Sequence, residues 1–212
     1  MSGRITLSAA SALLAIAVPG HGAIIINEFM ADPAAVSDTA GEWVELYNSG
    51  GVAVDLGSWQ LVDDPAGTTH TLTFAAGTIV PAGGFAVIVR NADPAVNGGV
   101  TGGIAFSSMS LGNSSNELLL RDDGGLEVDR VSWDSGWSGT AGTSWELLNP
   151  GSDNADPVNW ASATTQWAPP SSDLGTPGAA NSALATVPEP SALALTLPLL
   201  VATGAWRRRR QR

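Results

Sequence analysis

Carboxylates are the most abundant reactive side chains in this 212-residue sequence, and their spacing limits the chemistry open to them. Glu42 and Glu45, in Glu42-Trp43-Val44-Glu45, are the pair that comes nearest to the two acids of a glycoside hydrolase. Such enzymes hold two carboxyl groups about 5–9 Å apart on either side of a sugar ring. Residues three apart on an extended strand point to opposite faces. The expectation is therefore one solvated glutamate and one paired with an arginine or a backbone amide. His70 is the only histidine after His21, and it opens a short apolar run as a turn or edge residue would. There is no cysteine, no Gly-x-Ser-x-Gly elbow, no His-Glu-x-x-His and no phosphate-binding Gly-Lys-Ser/Thr. Nucleophilic, zinc and nucleotide chemistry thus lack their usual parts. The sequence reads as non-enzymatic.

Two other groups of side chains bear on ligands. Acidic turns occur at Asp63-Asp64, at Asp122-Asp123 and at Asp153-Asn154-Ala155-Asp156. Hard Ca²⁺ prefers such oxygens, so Asp63, Asp64, Asp122 and Asp123 are its candidate ligands. None of these clusters has the spacing of a twelve-residue calcium loop, and Asp or Asn beside Gly or Pro also forms turns by local hydrogen bonding. The reading is therefore no cofactor, with Ca²⁺ as the alternative. Seven tryptophans, Trp43 to Trp167, lie in the body of the chain. Most are expected as core or anchor residues. Trp133 and Trp137, flanking Asp134-Ser135-Gly136, are the pair best placed to stack on a sugar ring.

The elements that must position these residues read as strands. Candidate strands are 24–29, 42–47, 58–62, 71–74, 85–90, 116–121, 126–133 and 144–148, separated by Gly-, Pro- and Asp-rich turns such as Pro81-Ala82-Gly83-Gly84. Between Leu126 and Trp133 the apolar positions fall at 126 and 128, then at 131 and 133. A period of two with a one-residue slip near Asp129-Arg130 is what a β-bulge produces. Eight short strands with regular turns predict an all-β sandwich over 24–150. From 151 to 186 the pattern fades into Pro, Gly, Ser, Asn and Asp, predicting an irregular wrap anchored by Trp160 and Trp167, then a linker.

Both ends have a different character. Residues 1–23 carry one early charge, Arg4, then an apolar run from Ile5 to Val18, then small residues Gly20, Gly22 and Ala23. That is the layout of a secretory signal peptide. At 187–212, Val187-Pro188-Glu189-Pro190 leads into fifteen uncharged residues, 192–206, and then Arg207, Arg208, Arg209 and Arg210. At ~1.5 Å per residue the run spans about 23 Å, short for a ~30 Å hydrocarbon core. The arginines form a cytoplasmic stop, which places the body outside. Setting them aside leaves three arginines against nineteen acids between Ile24 and Val187, a formal charge of −16. Phosphate-backbone binding needs clustered cations, so nucleic acid is excluded as a partner.

The tail resembles the PEP-CTERM sorting signal of exosortase systems, which joins a Pro-Glu-Pro motif, a short transmembrane helix and a basic end. The resemblance implies an exosortase and the secretion machinery as partners, with transient inner-membrane anchoring through the helix. Cleavage near Val187 to Pro190 would follow, at the surface or in the matrix of a Gram-negative-type bacterium that makes exopolysaccharide. The body resembles the bacterial lamin-tail domain in Ile26-Asn27-Glu28-Phe29-Met30-Ala31-Asp32-Pro33 and in Gly41 to Asn48. Asp55 to Asp63, Phe74 to Ile79, Pro81 to Phe85 and the Asn116 to Trp133 hairpin fit the same family. That implies an immunoglobulin-like β-sandwich of lamin-tail type, here flanked by an N-terminal signal helix and a C-terminal transmembrane helix. It implies no reaction. The expected function is an exported, non-enzymatic interaction protein of the cell surface or matrix, contacting exopolysaccharide or other surface proteins. The alternative is a secreted carbohydrate-active or hydrolase-accessory protein that uses calcium. No motif names a ligand-binding residue.

Overall fold

The alternation read at Glu42 to Tyr47 is a strand with two different faces, and the fold is built outward from it. The computed structural model describes residues 24–63, 69–137, 139–167 and 171–184. Among them the strands are β1 (Ile24–Met30), β2 (Trp43–Asn48), β3 (Val54–Asp55), β4 (Gln60–Asp63), β5 (His70–Thr73) and β6 (Ile79–Val80). They continue with β7 (Phe85–Val89), β8 (Ile104–Ala105), β9 (Asn116–Arg121), β10 (Glu127–Trp133), β11 (Trp145–Leu147) and β12 (Trp160–Ser162). One sheet runs β12-β11-β1-β2-β7-β8, a second β10-β9-β4-β5, and β3 pairs with β6. All pairings are antiparallel except β7 with β8. Among the described residues helix is nearly absent, limited to a four-residue turn, α1 (Asp38–Gly41), and a 3₁₀ turn at Pro157–Asn159.

The two larger sheets enclose the core. Ile26, Phe29, Val44, Leu46, Ile88 and Leu147 come from the six-stranded sheet, while Leu61, Leu118, Leu120, Val131 and Trp133 come from the four-stranded one. At ~1.5–3 kcal/mol for each fully buried large apolar side chain, this layer is the main favourable term in a chain without disulfides. The arrangement is a mostly-β sandwich, consistent with an immunoglobulin-like fold.

All eight expected strands are present, with ends shifted by one or two residues. The strands that sequence pattern does not reveal, β3, β6, β8 and β12, are two or three residues long, too short to display a period. The slip in the 126–133 segment is a bulge, with the β10–β9 register shifting between Glu127 and Asp129. A second bulge lies in β1 between Ile26 and Glu28. It turns Ile26 and Phe29 into the core together and leaves Asn27 and Glu28 side by side on the opposite face.

That opposite face of the six-stranded sheet is covered as well. Trp167 packs edge-to-face on Trp43, with ring centroids 5.8 Å apart, beside Met30, Val87, Val89 and Val100. Residues 171–184 then cross the sheet as a strap. Leu174 bridges to Thr143 and Gln166, and its backbone exchanges hydrogen bonds with Gly142 and Ser144. Gly175 fits where no other residue would, because a Cβ there would lie 2.9 Å from the Trp167 ring and 3.0 Å from Glu28 Oε1. The stretch beginning at 151, expected as irregular throughout, also contributes β12, which adds an edge strand beside β11. Trp160 and Trp167 are both buried.

Residues 1–23, Asp64, the sorting motif at Val187 to Pro190, the run 192–206 and the arginines from Arg207 onward lie outside the described residues. Among those described, no helix is long and apolar enough to cross a membrane.

Candidate functional site

Three glutamates from three neighbouring strands form one row on the strapped face. Glu28 in β1 pairs with Glu146 of β11 on one side and with Glu45 of β2 on the other. All three are fully buried. Neither Glu42 nor Glu45 is thus solvated, although strand geometry suggested that one of them would be; Glu45 does lie on the face away from the core, but the strap covers that face. The strap supplies the donors. Glu28 Oε1 accepts from the Thr176 backbone N–H (2.8 Å) and from Ser144 Oγ (2.6 Å). Glu45 accepts from the Gly178 N–H (2.5 Å) and from Asn27 Nδ2 (2.9 Å). Glu146 accepts from Ser182 Oγ (3.0 Å) and the Ala183 N–H (2.6 Å). Asn181 joins the same layer, donating to the carbonyls of Asn27 and Leu147.

Proton counting adds a constraint. Thr176 Oγ1 lies 2.7 Å from Glu28 Oε2 and 3.0 Å from Glu146 Oε1, yet a hydroxyl carries one proton. Both contacts are full two-centre hydrogen bonds if the Glu28 carboxyl is protonated and donates to Thr176, which then donates to Glu146. The electrostatics agree: burial pushes Glu28 up to about 7. Burial, with the Glu28 charge adding to it, pushes Glu45 up to about 8. The row is an internal staple whose oxygens face hydrogen-bond donors rather than a cleft.

Glu42, Asp63 and Asp122 are equally committed to structure. Glu42 is buried and pairs with Arg90, Oε2 to Nη1 2.7 Å, and burial raises it to about 7 despite that arginine. Asp63 accepts from the Ser110 N–H (2.6 Å) and Asn116 Nδ2 (2.9 Å), with His70 Nδ1 at 3.3 Å, which gives His70 its place at the edge of β5. Burial raises Asp63 despite these donors. Asp122 caps its own turn by accepting from the Leu126 N–H, and Asp123 is exposed. Asp63 and Asp122 sit at opposite ends of the β4–β9 ladder, since Asp63 pairs with Leu118 and Gln60 with Arg121. The fold therefore does not bring them together. Asp153 and Asp156 accept from the N–H groups two residues on, as turn residues do. Among the described residues no three carboxylate or histidine side chains are grouped to hold a metal ion. Asp129, which the sequence did not single out, accepts from the Ile26 N–H and from Asn154 Nδ2, both at 2.6 Å, and burial raises it to about 6.

An open cleft lies elsewhere, at the sandwich edge where β10 and β11 meet the loop after β1. Trp133, Trp137 and Trp145 line it together with Asp32, Asn113 and Thr140, and its volume is about 180 Å³. Trp133 stacks on Phe29 with centroids 4.4 Å apart and donates from Nε1 to the Gly112 carbonyl. Trp137 stands half-buried against Trp145, centroids 5.1 Å apart at an interplanar angle of 75°. Asn113 Nδ2 donates to Asp32 Oδ1 (3.1 Å) and to Asp38 Oδ2 (3.3 Å). Burial, then the charges of Asp38 and Asp173, raise Asp32 above the usual carboxylate range. The sequence identified Trp133 and Trp137 from the Asp134-Ser135-Gly136 turn between them. It gave no sign of Trp145, Asp32 or Asn113 as partners, because those come from β11 and from two other loops.

A family model described as Lamin Tail Domain matches residues 17–135, more than half of the chain. That span contains Glu28, Glu45 and Trp133; Trp137, Trp145, Glu146 and the strap follow it. A search of curated proteins finds no match.

Proposed function

The chain belongs to the lamin tail domain family, and on that premise we propose that it is an exported, non-enzymatic interaction protein of the cell surface or extracellular matrix. The observation that carries this reading is the use made of the glutamates. Glu28, Glu42, Glu45 and Glu146 each accept hydrogen bonds inside the fold, and none lines the cleft beside Trp137. A general acid or base must reach a bound substrate, and these are occupied. The aromatic cleft is then a surface open for recognition. The route outward rests on the sequence at the two ends: the leader over 1–23, and Val187 to Arg212 as a PEP-CTERM-type tail processed by an exosortase. The body's −16 charge argues against nucleic acid.

Fractionation of the producing cells with intact-mass measurement of the mature protein tests this. The expected chain starts near Ile24, ends between Val187 and Pro190, and is found at the surface or in the medium. A cytoplasmic chain with an intact end at Arg212 overturns it.

One observation favours a second reading, a carbohydrate-active protein. Asp32 and Asp38 are held by the same Asn113 amide beside the aromatic cleft, and Asp32 is raised. Release of reducing sugar that disappears in Asp32→Asn would establish that reading in place of the first.

A further inference from the structure

We propose that the corner formed by Trp137 and Trp145, with Asp32 and Asn113 at its rim, binds one pyranose ring of a neutral polysaccharide. The proposal rests on reading the chain as an interaction protein and names the ligand class of its cleft. A pyranose offers an apolar C–H face and an edge of hydroxyls, so it needs a flat apolar wall next to hydrogen-bonding groups. Ligand sites in general pair apolar and aromatic walls with a few placed polar groups. The two indoles, tilted 75° to each other, supply a two-sided wall.

The indole nitrogens set Trp137 and Trp145 apart from Trp133, Trp160 and Trp167, while the equally unbonded Trp43 Nε1 is buried away from the cleft. Trp133, Trp160 and Trp167 each donate from Nε1 to a backbone carbonyl, of Gly112, Asn154 and Gly98 respectively. Trp137 and Trp145, both half-buried, donate to no described residue. They are the indoles of the cleft that keep a donor for a ligand hydroxyl. Gly139 preserves the space: a Cβ there would come within 3.0 Å of Trp145 Nε1. At the rim, Asp32 Oδ1 is engaged by Asn113 while Oδ2 faces no described donor, leaving an acceptor for a sugar hydroxyl.

Size and charge narrow the class. A cleft of about 180 Å³ is smaller than the ~300–1,000 Å³ of drug-sized ligand sites. It suits one ring of a longer chain whose other rings remain in water. Asp32, with Asp38 and Asp173 near it, repels uronate and sulfate groups, which selects a neutral glycan. A second hollow of about 190 Å³ lies at the end of the strap, lined by Tyr47, Phe85, Pro150 and Leu184. It has no carboxylate and no indole at its rim, so the saccharide chemistry points to the tryptophan corner.

The test uses the full chain in a detergent without a sugar headgroup. Malto- and cello-oligosaccharides and the neutral β-glucan laminarin are titrated with tryptophan fluorescence and calorimetry as readouts, and polygalacturonate is the acidic counterpart. The expected result is saturable binding of at least one neutral glycan and none of polygalacturonate. Trp137→Ala should weaken that binding about tenfold, the scale of one aromatic anchor. Gly139→Ala, which removes no indole and alters an exposed residue, should weaken it comparably while melting as the parent does. The proposal is overturned if no neutral glycan perturbs the protein at about 10 mM. It is equally overturned if polygalacturonate binds as well, or if both variants bind like the parent. Association of the same variants with the producer's surface or matrix separates the two readings. If Trp137→Ala abolishes that association while no glycan binds, the interaction reading stands and the saccharide falls.

Discussion

Glu28 and Glu146 face each other across the β1–β11 pairing and share the hydroxyl of Thr176, which lies 2.7 Å from one carboxyl and 3.0 Å from the other. Two buried acids bridged by one proton donor make the attachment of the strap depend on protonation. This relationship, with Glu45 on the far side of Glu28, governs the behaviour expected of the domain in solution.

Stability should fall as pH rises. Glu28 and Glu45 titrate in the fold near 7 and near 8, against an ordinary value of 4.5. Below about 4.5 they are protonated in the folded and unfolded chain alike, and their contribution is fully present. As pH rises through 7 to 8 the folded protein must ionise buried carboxyls that the unfolded chain ionised earlier, and stability is lost. Glu42 near 7 and Asp129 near 6 act in the same direction. Thermal melts at pH 5 and pH 9 should differ by on the order of 10 °C, with the acid sample higher. Equal melting points would refute the shared-proton staple.

Glu28→Gln should remove part of that pH dependence. The amide oxygen can accept from Ser144 and the Thr176 N–H, and the amide nitrogen can donate to Thr176 Oγ1, which then donates to Glu146. Near-parental stability at pH 5 and a gain at pH 9 are expected from denaturant titration. Glu28→Ala leaves those donors buried and unmatched, and should cost about 2–5 kcal/mol at pH 5.

Thr176→Val deletes the shared hydroxyl while keeping the shape. Leaving Glu28 Oε2 and Glu146 Oε1 without it should cost about 1–3 kcal/mol. The loss should be local, appearing as faster hydrogen exchange at the Gly178 and Ala183 amides before the core strands change. Uniform exchange across the sandwich would show that the strap does not open separately.

Arg90→Ala strands a buried glutamate, because Glu42 is joined to the Arg90 guanidinium at 2.7 Å. Removing one member of a buried pair typically costs about 3–5 kcal/mol. At pH 5 the loss should be smaller, since Glu42 can take up a proton there. A combined Glu42→Gln/Arg90→Ala variant should recover part of the stability at pH 8, read from denaturant midpoints.

Calcium at millimolar concentration should leave the melting temperature unchanged. Asp63 already faces Ser110, Asn116 and His70, and Asp122 lies at the other end of the ladder. A rise in melting temperature that saturates with Ca²⁺ would point to ligands among residues such as Asp64 that lie outside the described set.

Much of the architecture could be read along the chain. Alternation in Trp43 to Asn48 separates Val44 and Leu46 from Glu45, and the slip between Leu126 and Trp133 marks a bulge in β10. These signals are local, because side chains on a strand alternate by geometry whatever lies beside them. The β1 bulge was not legible: with apolar residues at 24, 25, 26 and 29, that run shows no clean period for a slip to interrupt. The aromatic cleft was half legible. Trp133 and Trp137 are four residues apart, whereas Asp32 and Asn113 arrive from loops about a hundred and about twenty residues earlier in the sequence.

The sequence by itself determined the class of the fold, the concentration of negative charge between Ile24 and Val187, and the lack of the usual nucleophile, zinc and nucleotide motifs. Those follow from composition and from period-two patterning, which need no knowledge of neighbours. Only the tertiary structure decided that Glu28, Glu45 and Glu146 form one row, and that residues 171–184 close over them. Strand order is set by packing between segments more than a hundred residues apart, and a carboxylate's protonation depends on the burial and donors that packing brings. A glutamate that looks solvated on an isolated strand thus becomes a buried, protonatable staple once a distant strap lies across it.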